Sequence, residues 1–404
     1  MKSRWTACAL ALCLAASACS PPPVISPSDA ADVADARDGA LGDTTTDATD
    51  DASPTGLAAM LESVRSRNGL PALAALVADD NGILQQAAVG QRSVDDPAVV
   101  TNSDLWHIGS CTKAMTATLF ARLVERGSMR WESTLEESFA DSAATMNAAY
   151  RPVSVGLLFR HRAGVPAEIP SMVWTPLWMT RDVVAQRRTF AAAMLALAPA
   201  APPNERDLYS NAGYMIAGAA IERATGRAWE ELIRAEVFNP LGMTSCGFGA
   251  PGSADAVDQP RGHEESGGTL RPVVPGPRAD NPPASGPAGT VHCSLADWAR
   301  FARAHLRGAQ GRADSYLSQA SFTRMHSAMA GSNYGDGWIV AERPWAGGRA
   351  LAHAGSNTMF LASVWIVPIR GRVLLVATNV ANTAAESAVQ EALRAMIDAY
   401  VPTS

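Results

Sequence analysis

The chain has 404 residues, 47% of them apolar and 18% charged, with a formal net charge of −6 at pH 7. That composition suits a globular protein, and the absence of a basic excess argues against a nucleic-acid partner. Three of the six cysteines lie within the first 19 residues. The other three, Cys111, Cys246 and Cys293, can form at most one disulfide, which excludes a disulfide scaffold.

In chain order, Lys2 and Arg4 precede an apolar stretch from Trp5 to Ala16, too short to cross a bilayer. Ala16-Ser17-Ala18-Cys19 then forms a small-residue cleavage site. Residues 1–19 read as an export signal. The ending resembles the bacterial lipoprotein signal, which implies that Cys19 becomes the lipidated first residue of an envelope protein on the periplasmic side. Such signals more often carry Leu where this chain has Ala16, so secretion with ordinary cleavage is the alternative. Residues 20–54 turn to Pro, Ala, Asp and Thr, with eight Asp against one Arg, and read as a disordered acidic tether. The tether contributes −7 and the signal +2, so the chain from Thr55 onward carries −1.

Residues 55–404 are long enough for one large unit or two interleaved lobes. Leu57 to Asn68 has helical apolar spacing. Ala72 to Ala78 and Ile83 to Val89 flank Asp80-Asn81-Gly82, a hairpin signal. Thr112 to Gly127 reads as a helix that opens at Ser110 and stops at a glycine. From about 130 to 300 the Ala-, Arg- and Pro-rich chain reads as helices with loops. Four strands follow (Trp338 to Val340, Arg349 to His353, Phe360 to Val367, Arg372 to Thr378), then the amphipathic helix Ala384 to Tyr400. Strands at both ends of a helical middle predict an α+β fold, one sheet built from both termini with a mainly helical lobe inserted.

Beyond the signal the chain has one lysine, Lys113, three residues after Ser110, whereas arginine is plentiful. A buried ammonium can lose its proton near neutral pH and a guanidinium cannot, so a lysine one helical turn from a serine points to a titratable amine. Ser-x-x-Lys is a signature of acyl-transfer enzymes. Cys111, beside Ser110, has the chemistry of a nucleophile but also suits a small core position. None of the seven histidines has zinc-ligand spacing, so no metal is expected. Met172, Trp174, Trp178 and Met179 would wall an acyl pocket, form a mobile lid, or simply pack.

Two further motifs decide the reading: Leu208-Tyr209-Ser210-Asn211 and Leu351-Ala352-His353-Ala354-Gly355-Ser356-Asn357. With Ser110-Cys-Thr-Lys113 they resemble, in order, the serine β-lactamase and penicillin-binding-protein superfamily. The branch is that of class C β-lactamases, D-alanyl-D-alanine carboxypeptidases, D-aminopeptidases and family VIII esterases. Leu123 to Gly127, Leu158 to Pro166, Pro240 to Met243, Ala288-Gly289 with Asp297, and Tyr334 to Trp338 extend the likeness over nearly the whole globular part.

The resemblance implies a β-lactamase/transpeptidase-like fold and a cofactor-free serine hydrolase acting through an acyl-Ser110 intermediate. Lys113 and Tyr209 would share the proton relay, with the principal base undecided between them. Asn211 would hold Lys113 and the substrate. Ser110 and Ser356 would offer backbone N–H groups to the oxyanion, Gly355 would let the strand approach the acyl group, and His353 would supply a polar or cationic edge. One position departs from the pattern. Relatives acting on penicillins or D-Ala-D-Ala peptides usually carry Thr or Ser where this chain has Ala354, and the lost hydroxyl tilts the expectation toward neutral esters or amides. The alternatives are a D,D-carboxypeptidase or β-lactamase proper, and, in another class, a catalytically weak penicillin-binding or envelope scaffold protein.

Overall fold

The computed structural model describes residues 56–178 and 182–402. The export signal, Cys19, the tether and Met179 lie outside the described residues.

Helix α1 (Leu57–Arg67) leads into strands β1 (Ala72–Ala78), β2 (Ile83–Ser93) and β3 (Asp96–Val99). The hairpin between β1 and β2 closes as its sequence predicts: Asp79 Oδ1 accepts from the backbone N of Asn81 and of Gly82. Strands β9 (Ile339–Arg343), β10 (Gly348–Ser356), β11 (Leu361–Val367) and β12 (Arg372–Thr378) come from the other end of the chain. All seven form one antiparallel sheet in the order β3-β2-β1-β12-β11-β10-β9, joined where Leu73 of β1 faces Thr378 of β12. The sheet is thus built from both termini, as expected.

Every residue of β1 is buried, because both faces of the sheet are covered. Alternation divides its side chains: Leu73, Ala75 and Val77 join the cluster under α1 and the C-terminal helix α6 (Thr383–Tyr400). Ala72, Ala74, Leu76 and Ala78 join the larger cluster that includes α2 (Thr112–Glu125), α3 (Val183–Ala196), α4 (Asn211–Thr225) and α5 (Leu295–Ala309).

Two expectations need correction. Ser110 does not open α2 but lies in a single 3-10 turn, Gly109–Cys111, ahead of it. The stretch from about 130 to 300 also holds more than helices: its β5 (Gly247–Phe248) and β8 (Val291–Ser294) form a second sheet with the earlier β4 (Leu105–His107), and β6 (His263–Ser266) pairs with β7 (Thr269–Pro272). Strands of two to four residues are too short for alternation to show in sequence. A disulfide links Cys246 to Cys293 within this region, and Cys111 is free and buried.

Candidate active site

Three segments meet at Ser110. The first is the turn that carries it, entered from β4. His107 accepts from Gly109 N through Nδ1 at 3.1 Å and so carries its proton on Nε2, which donates to Asp280 at 2.9 Å. Asn357, just past β10, donates to the other Asp280 oxygen at 3.1 Å. This buried chain fixes the turn against the end of the sheet. Gly109 has φ 48°, and an added Cβ there would stand 2.3 Å from Ser356 N. A Cβ on Gly355 would stand 2.5 Å from Ser110 N. Only glycines let turn and strand come this close, which brings the backbone N–H groups of Ser110 and Ser356 to one place.

The second segment begins α4. Ser210 caps that helix by accepting from Gly213 N, which leaves Asn211 free to bond elsewhere. The loop before it is gripped by His161, whose carbonyl accepts from Leu208 N at 2.7 Å and whose Nδ1 accepts from Ser210 N at 3.1 Å. The His161 ring lies 4.2 Å from that of Tyr209, centroid to centroid. Burial raises the pKa of the Tyr209 hydroxyl above the usual tyrosine range, so it is a neutral phenol.

Lys113, fully buried on the first turn of α2, joins the parts. Its Nζ lies 2.7 Å from Asn211 Oδ1, 2.8 Å from the Ala288 carbonyl and 2.9 Å from Ser110 Oγ. Burial pushes its pKa well below the usual lysine value. A neutral amine has two N–H bonds and one lone pair. The two carbonyl-type oxygens take the N–H bonds, so the lone pair faces the Ser110 hydroxyl. Such a group can accept a proton from Ser110.

The third segment is β10. Strand β9 pairs only with Gly348 to Ala352, so the edge from His353 to Ser356 has no strand beside it. His353 is buried, donates from Nδ1 to the Ala354 carbonyl at 2.6 Å, and accepts the Tyr334 hydroxyl on Nε2 at 2.8 Å. Burial pulls its pKa down to about 3, so it is a polar but uncharged neighbour and not the cationic edge that was one expectation. Ala354 is half-buried and its side chain contacts the cluster on the α1/α6 face. Cys111 gives its thiol hydrogen to the His353 carbonyl, and burial raises its pKa, which makes it a core residue rather than a nucleophile. Of the aromatic cluster, Trp174 packs on the main core, while Met172 (82% exposed) and Trp178 (41%) are exposed to solvent.

A β-lactamase family model matches residues 57–398. The chain belongs to the β-lactamase family. Within that family, penicillin-binding protein 4 of Amycolatopsis lactamdurans is 28% identical over 329 residues, which cover 79% of this chain and 83% of the relative. Penicillin-binding protein 4* of Bacillus subtilis (strain 168) is 23% identical over 69% of this chain, which spans 62% of that relative's length. A D-stereospecific amidohydrolase from a Streptomyces species has the same fold, with a TM-score of 0.66 at 19% identity, covering 84% of this chain and 98% of its own. This β-lactamase-family chain is a serine hydrolase with a β-lactamase/transpeptidase-like fold.

Sequence reading gave no role to His107, Asp280, His161, Tyr334 or the Ala288 carbonyl. Tyr334 and Ala288 lie in segments whose family likeness is legible, and His107 opens the Ser110 motif. Asp280 carries no local signal, since it lies 173 residues from its partner.

Proposed function

We propose that the protein hydrolyses esters or amides of uncharged acyl groups through an acyl-Ser110 intermediate. The observation that supports this reading is the buried Lys113 amine, its pKa lowered by burial, which lies within hydrogen-bond distance of two carbonyl-type oxygens and of Ser110 Oγ. Ser110 Oγ attacks the acyl carbonyl while its proton passes to Lys113 Nζ. The oxyanion accepts hydrogen bonds from the backbone N–H groups of Ser110 and Ser356. The leaving group takes a proton from the Tyr209 hydroxyl, which regains one from Lys113, and the tetrahedral centre collapses to the Ser110 ester. Water then attacks that ester by the same path in reverse, giving the acid and free Ser110.

Of the pair, Lys113 is the base and Tyr209 the proton donor, because burial keeps one an amine and the other a phenol. Ala354 directs the proposal to uncharged acyl groups, since no side-chain hydroxyl at that position greets a substrate carboxylate. The open edge of β10 favours a second reading, a D,D-peptidase, because an extended peptide can lie along such an edge. The proposal also includes export and attachment to the cell envelope through Cys19.

The test is covalent labelling. A fluorophosphonate should add to the protein, Ser110→Ala should abolish the adduct, and the enzyme should turn over p-nitrophenyl butyrate. An adduct located by mass spectrometry on any other residue refutes the assignment. Faster turnover of an acyl-D-Ala-D-Ala peptide would favour the peptidase reading.

A further inference from the structure

Away from Ser110, α5 lines a cavity of about 500 Å³. Arg300, Arg303 and Arg307 reach its wall from successive turns of that helix, and Arg122 reaches it from α2. Arg122 lies nine residues beyond Lys113, roughly 13 Å along the helix axis at 1.5 Å per residue, so this is a separate site. Asp314 is the single carboxylate in the wall, against four guanidiniums. Tyr316 borders the cavity and is 9% exposed, with its hydroxyl buried in the protein away from solvent.

The arginines are only partly occupied. Arg122 meets Glu236 at 3.1 Å and also donates to the Tyr316 carbonyl, Arg300 meets Asp297 at 3.2 Å, and Arg307 meets Asp314 at 3.1 Å and Asp80 at 3.7 Å. A guanidinium has five N–H bonds, so these contacts leave donors unused. Arg303 donates to the main-chain carbonyls of Asp79 and Asp80 at 2.8 and 2.5 Å, which carry no full charge. Its pKa lies below the usual arginine value, through burial first and then through Arg307, as expected where like charges crowd together.

We propose that this cavity binds the phosphate of an organic phosphomonoester or diphosphate. Guanidinium forks match phosphate oxygens in pairs. A phosphomonoester carries about −1.5 to −2 at pH 7, which suits guanidiniums that keep N–H donors free beyond their contacts to Glu236, Asp297, Asp80 and Asp314. The cavity is larger than the anion alone, and Pro240 and Leu241 give it an apolar side for the organic part.

Calorimetry with pyrophosphate, at ionic strength held constant with sodium chloride, tests this on the full chain. Saturable one-to-one binding is expected. Arg300→Gln with Arg307→Gln should weaken it by at least about 10-fold, the scale of a lost charge-assisted hydrogen bond. p-Nitrophenyl butyrate turnover should stay unchanged in the variant. Circular dichroism and melting temperature establish that the variant is folded. Vesicles of phosphatidic acid in phosphatidylcholine separate the two sources of such a group. Arginine-dependent binding to them assigns a lipid headgroup, and pyrophosphate binding without it assigns a soluble ligand. Binding neither pyrophosphate nor these vesicles, pyrophosphate affinity no better than that of citrate, or full affinity in the folded arginine variant would overturn the proposal.

Discussion

Asn211 Oδ1 lies 2.7 Å from Lys113 Nζ, and this contact, together with the Ala288 carbonyl at 2.8 Å, orients the amine lone pair toward Ser110. The relationship spans 98 residues of sequence, yet it determines whether the lysine works as a base or as a fixed charge.

Lys113→Arg should therefore be nearly as damaging as Lys113→Ala, since a guanidinium keeps the charge and cannot take a proton. Tyr209→Phe should lower kcat by about 10²-fold or more, the scale of a lost proton donor. The pH dependence has a definite sign. Lys113 is depressed, so kcat/KM should fall as pH drops through its lowered pKa and the amine protonates. Asn211→Asp would set an anion beside Nζ and stabilise the ammonium, moving that fall to higher pH. Profiles of kcat/KM against pH for both proteins check this. An acid limb that stays in place would assign the titration to another group.

The terminal parts of the fold were legible because their elements are long and patterned. The Asp80-Asn81-Gly82 turn, the all-apolar β1 and the spacing of α6 each identify one element. The Ser110, Lys113, Tyr209 and Asn211 constellation was legible from residue type and order. What remained hidden is made of backbone groups and distant pairs. The Ala288 carbonyl has no side-chain signature, and the His107–Asp280 contact joins chain segments 173 residues apart. The charge of His353 was likewise hidden, because burial, not the residue type, holds it neutral.

A second histidine system is expected to set acid stability. Thr118 gives its hydroxyl hydrogen to the Ala114 carbonyl and so accepts from His305 Nε2 at 3.1 Å. His305 Nδ1 then accepts from His326 Nε2 at 2.9 Å, which leaves His326 Nδ1 as a bare acceptor. Burial lowers His305 well below its usual range and brings His326 down to about 3. The unfolded chain binds protons near pH 6.5 that the folded chain refuses. Stability from these groups is complete above that pH and is lost as pH falls toward 3, by about 1.4 kcal/mol per pH unit for each histidine. Replacing both, as His305→Phe with His326→Leu, should flatten the dependence of unfolding free energy on pH by up to about 2.7 kcal/mol per unit. Urea titrations between pH 4 and 7 measure it, and an unchanged slope would show that these residues do not carry the acid sensitivity.

Anchoring is tested at the other end of the chain. Cys19→Ala should move the mature protein from the membrane fraction to the soluble one, because a lipidated cysteine followed by a polar tether is the proposed attachment. Among the described residues no helix is long and apolar enough to cross a membrane. Soluble wild-type protein that begins at a residue other than Cys19 would refute lipidation.

Substrate choice turns on Ala354. If this position reads a substrate carboxylate, the natural enzyme should hydrolyse p-nitrophenyl butyrate better than nitrocefin or a D-Ala-D-Ala peptide. Ala354→Thr should then raise kcat/KM selectively for the substrates that bear a carboxylate. One charge-assisted hydrogen bond contributes about 1.5 to 3 kcal/mol, roughly 10- to 150-fold. The geometry argues for the lower part of that range. The Ala354 side chain touches the α1/α6 cluster, so the threonine methyl must fit there while its hydroxyl turns to the open edge of β10. Ala354 also faces Ser363 across the β10–β11 pair, a small neighbour that leaves room for β-branching. The decisive quantity is the ratio of nitrocefin to p-nitrophenyl butyrate kcat/KM in the two proteins. A ratio that does not rise in the variant, or a natural enzyme that already prefers β-lactams, would remove the argument for uncharged acyl groups and leave the peptidase or β-lactamase reading in its place.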